Sequence, residues 1–253
     1  MQLTPLNAVS PVDGRYFDTV KPLSLYFSEY GLIRYRIQVE VEYLLALAGE
    51  LPELSKFNSA KAADVRKLYQ AFSEDDADRI KQIEKETNHD VKAVEYFLKE
   101  KFEALGMGFA KEFIHFGLTS QDINNTAIPL SLRDYLKEEY YPALEALINS
   151  LNKFSDEWAD VTMLARTHGQ PASPTRLGKE IRVFSARLAN QLALMKKIPL
   201  SAKFGGATGN FNAHHAAYPK TDWHAFADRF CEALGLTRSF PTTQIEHYDN
   251  LSA

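Results

Sequence analysis

A chain of 253 residues with 45% hydrophobic and 25% charged residues has the composition of a globular protein, not of a disordered or repetitive one. A net charge of −4 gives no global attraction to nucleic acid or to an anionic membrane, although a small anion needs only a few local cations. The single cysteine, Cys231, excludes an internal disulfide and is typical of a reducing compartment. With no signal peptide and no apolar stretch of about 18 residues, the sequence predicts a soluble, cytoplasmic protein.

The chain up to residue 111 predicts a small helical domain. Proline and Asp-Gly turns make the first part irregular, and apolar residues at helical spacing predict a long helix from about Ser24 to Gly49. The residues expected to cap the next three helices are Ser59, Ser73 and Asp90. Residues 1–111 are therefore predicted to form an N-terminal domain.

Residues 112–253 predict longer helices that suit bundle packing, so the fold class is mainly α. No alternating pattern is long enough to predict a sheet. A last helix is expected to begin at Ile245 and to be cut at Ala253, which predicts a truncated bundle domain. In order, we expect a helix from Ser120 or Asp122 to near Trp158, an extended segment from Val161 to Ala172, a helix from Ser173-Pro174 to about Lys197, a glycine-rich loop from Lys203 to Asn212, and a helix from Thr221 to Leu234.

Two polar segments interrupt the helical pattern with groups that bind anions. Arg15 and Tyr16, after an Asp-Gly turn, can present a guanidinium and a hydroxyl to a phosphate, or can be a solvated surface turn. Thr119 and Ser120 precede a helix, where free backbone N–H groups favour a carboxylate. They can equally be plain helix caps, as can Asp90 in the segment Asn88-His89-Asp90.

A third segment contains a histidine in an extended stretch, His168, followed by Gly169 and Pro171. Such a histidine is suited to acid–base chemistry near neutral pH, or is structural. The remaining histidines lack metal-ligand spacing, and the glycines at 205–209 lack the lysine of a phosphate-binding loop. Neither a metal nor a cofactor is predicted.

Taken together, seven segments resemble the adenylosuccinate lyase family, of the bacterial type, within the fumarase/aspartase superfamily. The first and third are the most particular to this family, whereas the THGQPA within the fifth is shared more widely. The resemblance extends over essentially the whole chain. In order, the segments are SPVDGRY, FSEYGL, TNHDVKAVEYFLKEK, FIHFGLTSQDINN, ARTHGQPASPT, GATGNFNAHHAAYP and TTQIE.

The resemblance implies β-elimination of fumarate from adenylosuccinate, giving AMP, and from the succinylated carboxamide ribonucleotide SAICAR, giving AICAR. It implies His168 as the general acid that protonates the leaving nitrogen, and Thr119 and Ser120 as the residues that grip the succinyl carboxylate. His115 lies in the same segment as Thr119 and Ser120 and is only a candidate for lining the substrate pocket. The other substrate-binding positions that it implies are Arg15, Tyr16, Asn88, His89, Asp90 and Gln244.

One departure from the family pattern affects the prediction most. The family's base is a serine in a loop of the pattern Ser-Ser-x-Met-Pro-x-Lys-x-Asn-Pro, and no such run occurs in these 253 residues. The family assembles as a homotetramer that shares active sites between subunits. We therefore expect the full-length enzyme to be a homotetrameric lyase and these 253 residues alone to be inactive. The alternatives are a sister lyase, such as argininosuccinate lyase or fumarase, and a non-catalytic short form that binds nucleotide or a full-length partner.

Overall fold

The computed structural model describes residues 6–253, which form two compact units. The first unit contains the described residues up to Arg133 together with Leu200–Ala253, and the second contains Asp134–Pro199. The predicted boundary between residues 111 and 112 lies inside the first unit and stays a prediction.

The first unit is built mainly from helices that begin where the sequence places polar caps. Short 3₁₀ segments lie between several of these helices. Two have a single turn, Lys21–Leu23 and Pro52–Leu54, and a third, Gly108–Phe113, has two turns. The helices are α1 (Phe17–Val20), α2 (Ser24–Phe27), α3 (Glu29–Ala48), α4 (Ser59–Gln70), α5 (Glu74–Thr87), α6 (Asp90–Ala104) and the start of α7 (Ser120–Tyr135).

Helix α3 supplies the centre of the core of the first unit. The predicted helix from Ser24 is interrupted at Ser28, whose hydroxyl accepts the Gly31 amide and caps α3. Tyr43 is fully buried, with ring centroids 5.3 Å from Phe204 and 5.9 Å from Phe230. The core thus joins α3 to segments more than 150 positions later in the chain.

Three predicted caps have different outcomes. Ser73 caps α5 as expected, and the structure adds a reciprocal capping box with Asp76. The cap of α4 is Asn58 and not Ser59, because the Asn58 side chain accepts the Lys61 amide. Helix α6 is capped by His89 and not by Asp90, which is its first residue.

The C-terminal part of the first unit contains the glycine loop and short elements. Strands β3 (Ser201–Ala202) and β4 (Thr237–Arg238) pair in parallel. Helix α11 (Trp223–Ala233) occupies the interior of the predicted 221–234 helix. The last helix begins at Asp249, later than the predicted Ile245. The elements are β3 (Ser201–Ala202), α10 (Asn212–Ala217), α11 (Trp223–Ala233), β4 (Thr237–Arg238) and α12 (Asp249–Ser252).

The second unit packs a helical pair against a hairpin. A π-helical turn at Leu136–Tyr140 precedes α8 (Tyr141–Glu157). Gly178 lets α9 (Leu177–Met195) approach α8 so closely that an added Cβ would meet the Ser155 carbonyl. The helix predicted from Ser173-Pro174 is present but begins at Leu177, because Ser173 lies in the second strand of the hairpin. The elements are α8 (Tyr141–Glu157), β1 (Thr162–Thr167), β2 (Gln170–Arg176) and α9 (Leu177–Met195).

The hairpin also corrects the expectation of no sheet, although the predicted extended segment is confirmed. Strands β1 and β2 pair antiparallel around the two-residue turn His168-Gly169, where φ is 49° and 76°. Positive φ at both central positions is the turn that matches strand twist, and glycine and histidine tolerate it. Among residues 6–253, no helix is long and apolar enough to cross a membrane.

Candidate active site

The structure brings His89 and Ser120 together in the first unit, although 31 positions separate them. His89 Nδ1 accepts the Lys92 amide at 3.1 Å at the start of α6. Because Nδ1 accepts, the proton of a neutral imidazole is assigned to Nε2, which lies 3.4 Å from the Ser120 hydroxyl oxygen. Two of the predicted binding segments therefore meet at one place.

A buried arginine holds the neighbouring Asp90. Arg36 donates to Asp90 at 2.6 Å and to the Asn124 side chain at 2.8 Å, and only 7% of its side chain is exposed. Burial raises the pKa of Asp90, but the Arg36 charge and the Val91 amide outweigh burial, so the pKa is lowered overall. Asp90 is therefore a fixed anion that orients the start of α6.

A cavity of about 710 Å³ opens beside these residues. Asn88 ends α5 in the left-handed conformation, with φ 52°, and turns the chain toward His89. Both polar and apolar side chains line the cavity, as is usual for a small-molecule site. Its polar lining includes Arg36, Asn88, His89 and Asp90, and its apolar lining includes Phe27, Leu32, Ile128, Leu132 and Leu251.

The start of α7 is tied to the glycine loop by Asp122. This carboxylate accepts the Thr119 amide at 2.8 Å and the amides of Gly205 and Gly206 at 2.9 to 3.2 Å. It also accepts Lys203 Nζ at 2.7 Å, and both charged side chains are fully buried. Thr119, Ser120 and the glycine loop are thus parts of one rigid arrangement.

His115 lies in the same connection, with a buried glutamate as its partner. Its Nδ1 is 2.6 Å from Glu40, which also accepts the His115 amide at 3.1 Å. Burial lowers the pKa of His115, but the Glu40 carboxylate outweighs it, so the pKa is raised above the ordinary value. The Glu40 carboxylate therefore stabilises the charged form of the imidazole.

A second histidine, His214, has the opposite character. It is fully buried, and its Nε2 lies 2.9 Å from the hydroxyl of Tyr43, which itself donates to the Phe116 carbonyl. Its Nδ1 has no hydrogen-bond partner in the described part of the chain. Burial lowers the pKa of His214 to about 4, because it outweighs the smaller effect of the Asp122 carboxylate, which raises the pKa. Gly117 packs directly on this ring, which leaves no room for a Cβ.

The remaining predicted residues of the first unit are not brought to His89 and Ser120. Arg15 and Tyr16 are exposed, with the guanidinium 5.7 Å from the Tyr16 ring centre. Gln244 is exposed near Thr242, whose carbonyl lies against Gly209 of the glycine loop. Within residues 6–253, no hydrogen bond or ion pair joins Arg15, Tyr16 or Gln244 to His89 or Ser120.

His168 lies in the second unit, exposed at the tip of the β1–β2 hairpin. Arg166 donates to the Gly169 carbonyl at 3.3 Å and so braces the turn. The turn conformation presents the imidazole on a short, well-defined support, which is a suitable geometry for proton transfer to a bound molecule. Its role stays a prediction.

Sequence reasoning missed four charged residues that organise this region. Arg36 and Glu40 lie one helical turn apart inside the apolar pattern of α3, and charges within such a pattern are a readable signal of buried pairs. Lys203 and Asp122 carried no comparable signal, because neither stands inside an apolar helical pattern. No cluster of three potential metal ligands occurs in the described chain.

The class of protein follows from a comparison with known families. The profile of the lyase family matches residues 14–252, so the chain belongs to this family. Solved structures agree in fold. A fumarate lyase from Mesorhizobium sp. BNC1 superposes with a TM-score of 0.70 at 22% identity, covering 93% of this chain and 52% of that one. A 3-carboxy-cis,cis-muconate lactonizing enzyme from Pseudomonas putida gives 0.68 at 22% identity, covering 92% and 50%.

Curated relatives are more specific. The chain is 52% identical to an adenylosuccinate lyase of Dictyostelium discoideum and 45% identical to that of Escherichia coli strain K12. In both comparisons all of this chain is covered and 56% of the relative. The chain therefore spans about half the length of the curated relatives it matches.

Proposed function

We propose that the protein is an adenylosuccinate lyase of the cytoplasm, which eliminates fumarate from adenylosuccinate to give AMP, and from SAICAR to give AICAR. The observation that carries this proposal is the contact of His89 with Ser120 at the start of α7, since it joins two segments of the family pattern, and His89 also lines the cavity. The curated relatives at 45–52% identity support the same activity. No cofactor is required for this chemistry.

The reaction removes a proton next to a carboxylate and then expels the nucleotide nitrogen. Negative charge develops on that carboxylate, so N–H groups and hydroxyls at its position stabilise the intermediate. Thr119 and Ser120 at the N-terminus of α7 are assigned to this carboxylate. His168 is assigned as the acid that protonates the leaving nitrogen.

The other substrate contacts follow the chemistry of their groups. Arg15 and Tyr16 are assigned to the phosphate, which a guanidinium binds well. Asn88, His89 and Asp90 form a second binding segment, in which Asp90 acts through Arg36. Gln244 is assigned a further contact, and its proximity to the glycine loop through Thr242 supports that assignment.

Assembly as a homotetramer completes the proposal. The second unit exposes large apolar side chains on its helices, and such exposure is typical of surfaces that pack against other helices. Active sites shared between subunits would allow His168 to serve residues of another copy. These side chains include Leu147, Phe154, Val183, Phe184 and Leu194, exposed by 42% to 56%.

The first test follows adenylosuccinate absorbance with the 253-residue chain alone, with a fragment carrying the family's serine loop, and with a His168→Ala control. We expect no turnover alone and turnover on mixing, lost in the variant. Turnover by the chain alone, abolished by the substitution, would show that a base lies within these residues. Cleavage of argininosuccinate in preference to adenylosuccinate would favour the sister-lyase alternative.

A further inference from the structure

Asp122 and Lys203 form an ion pair from which the solvent is fully excluded. The Lys203 ammonium donates to the Asp122 carboxylate at 2.7 Å and also to the Gly206 carbonyl. Removing two charges from water costs several kcal/mol each unless they are paired and further hydrogen-bonded, as these are. Neither side chain reaches the cavity surface, so neither can touch a substrate.

The position of this pair gives it an electrostatic consequence. Asp122 is the third residue of α7, and its carboxylate binds the Thr119 amide at the very end of the helix. The helix end carries a partial positive charge, together with first-turn amides that have no carbonyl partner within the helix. An unpaired carboxylate here would cancel that positive charge and repel an anion. The ammonium of Lys203 removes the conflict.

The pair also fixes geometry. The same carboxylate holds the amides of Gly205 and Gly206, and Gly206 has φ +78°, with its α-carbon facing the Gly117 carbonyl. The glycine loop is therefore locked against the segment that leads into α7. An asparagine at position 122 keeps an oxygen that can accept these amides, so Asp122→Asn changes the charge more than the loop.

We propose that Lys203 is a positioning residue of the carboxylate site: it neutralises Asp122 and thereby keeps the start of α7 attractive to a substrate carboxylate. This inference rests on the proposed function in one respect, the assignment of Thr119 and Ser120 to a carboxylate. It adds a residue that acts entirely through Asp122 and the backbone.

The test titrates fumarate, a dianion, into the full 253-residue chain and follows the backbone amides of Ser120 and Gln121 by NMR. Neutral fumaramide is the matched ligand control. Lys203→Met leaves the carboxylate uncompensated, so we expect fumarate to bind at least about tenfold more weakly, with fumaramide unaffected. Asp122→Asn leaves a net positive charge and should tighten fumarate binding. The double variant should return to within about threefold of the parent chain.

Opposite changes in fumarate affinity in the two single variants would indicate an electrostatic effect, because a purely structural role would weaken binding in both. Unchanged fumarate binding in Lys203→Met, or weaker binding in Asp122→Asn, overturns the inference and leaves the proposed function standing. If Lys203→Met does not fold, the change in fumarate affinity of Asp122→Asn tests the inference by itself: tighter binding supports it and weaker binding overturns it. Absence of any fumarate effect in the parent chain overturns both the carboxylate assignment and this inference.

Discussion

The Nδ1 atom of His115 lies 2.6 Å from a carboxylate oxygen of Glu40, a side chain that is itself completely buried. The residues are 75 positions apart, and the backbone at His115 adopts φ 59° to allow both contacts with the glutamate. A non-glycine residue in this conformation costs energy and persists where the surroundings fix it. The pair therefore holds the imidazole in one orientation and favours its charged form.

Replacing Glu40 by glutamine should lower the pKa of His115, because burial then acts without the opposing carboxylate. An NMR titration of the imidazole measures the change, and Glu42→Gln, on the same helix but paired with Arg66, is the control. Since the pKa of His115 is raised in the folded state, the pair stabilises the fold most below the ordinary pKa of 6.5, and the gain is lost as pH rises through the folded value. An unchanged titration in Glu40→Gln would contradict this account.

His214 should make the fold less stable as pH falls. Its pKa is about 4 in the folded protein against 6.5 for an exposed histidine, so the unfolded chain binds the proton more readily. Between pH 7 and pH 5 the free energy of unfolding should fall by about 2 kcal/mol from this residue. Urea unfolding of the parent chain and of His214→Gln at both pH values isolates the effect, which should disappear in the variant. An equal decline in both would refute it.

Ser120→Ala should lower kcat/KM for adenylosuccinate by about 10- to 100-fold in the complemented enzyme, since a hydrogen bond to a charged group contributes about 1.5–3 kcal/mol. Stability should change by less than about 0.5 kcal/mol, because the hydroxyl is at the helix start and only partly buried. Ser59→Ala is the matched control, a first-turn serine of α4 away from the cavity. Equal kinetics for the two variants would remove Ser120 from the site.

Gly178→Ala should destabilise the second unit by about 1–3 kcal/mol, the usual cost of overpacking. The added Cβ would meet the carbonyl oxygen of Ser155, and backbone cannot rotate away as a side chain can. This cost exceeds the roughly 1 kcal/mol that alanine gains over glycine in a helix. Urea unfolding followed by circular dichroism measures it, with the exposed Ser150→Ala as control. A more stable Gly178→Ala would show that α9 does not approach the Ser155 carbonyl of α8 this closely.

Much of the fold was predictable because local chemistry specifies it. Ser73 caps α5 as predicted, and Gly49 follows α3 where the apolar pattern stops. The predictions of helix starts failed where another contact replaced the expected cap. His89 caps α6 because its Nδ1 accepts the Lys92 amide, a role that aspartate fills more often. At Ser173, pairing with β1 overrides a sequence that is typical of a helix start.

The sequence by itself determined the family, the mainly helical class and the segments that carry polar chemistry, since these depend on residue order and short-range periodicity. Only the tertiary structure decided which of those segments meet. It joined His89 to Ser120 and paired Asp122 with Lys203 across 81 positions. It also made Glu40 the partner of His115. A charge inside an apolar pattern can be recognised as buried, but its partner is fixed by the packing of distant segments, so a single sequence cannot reveal which residues pair.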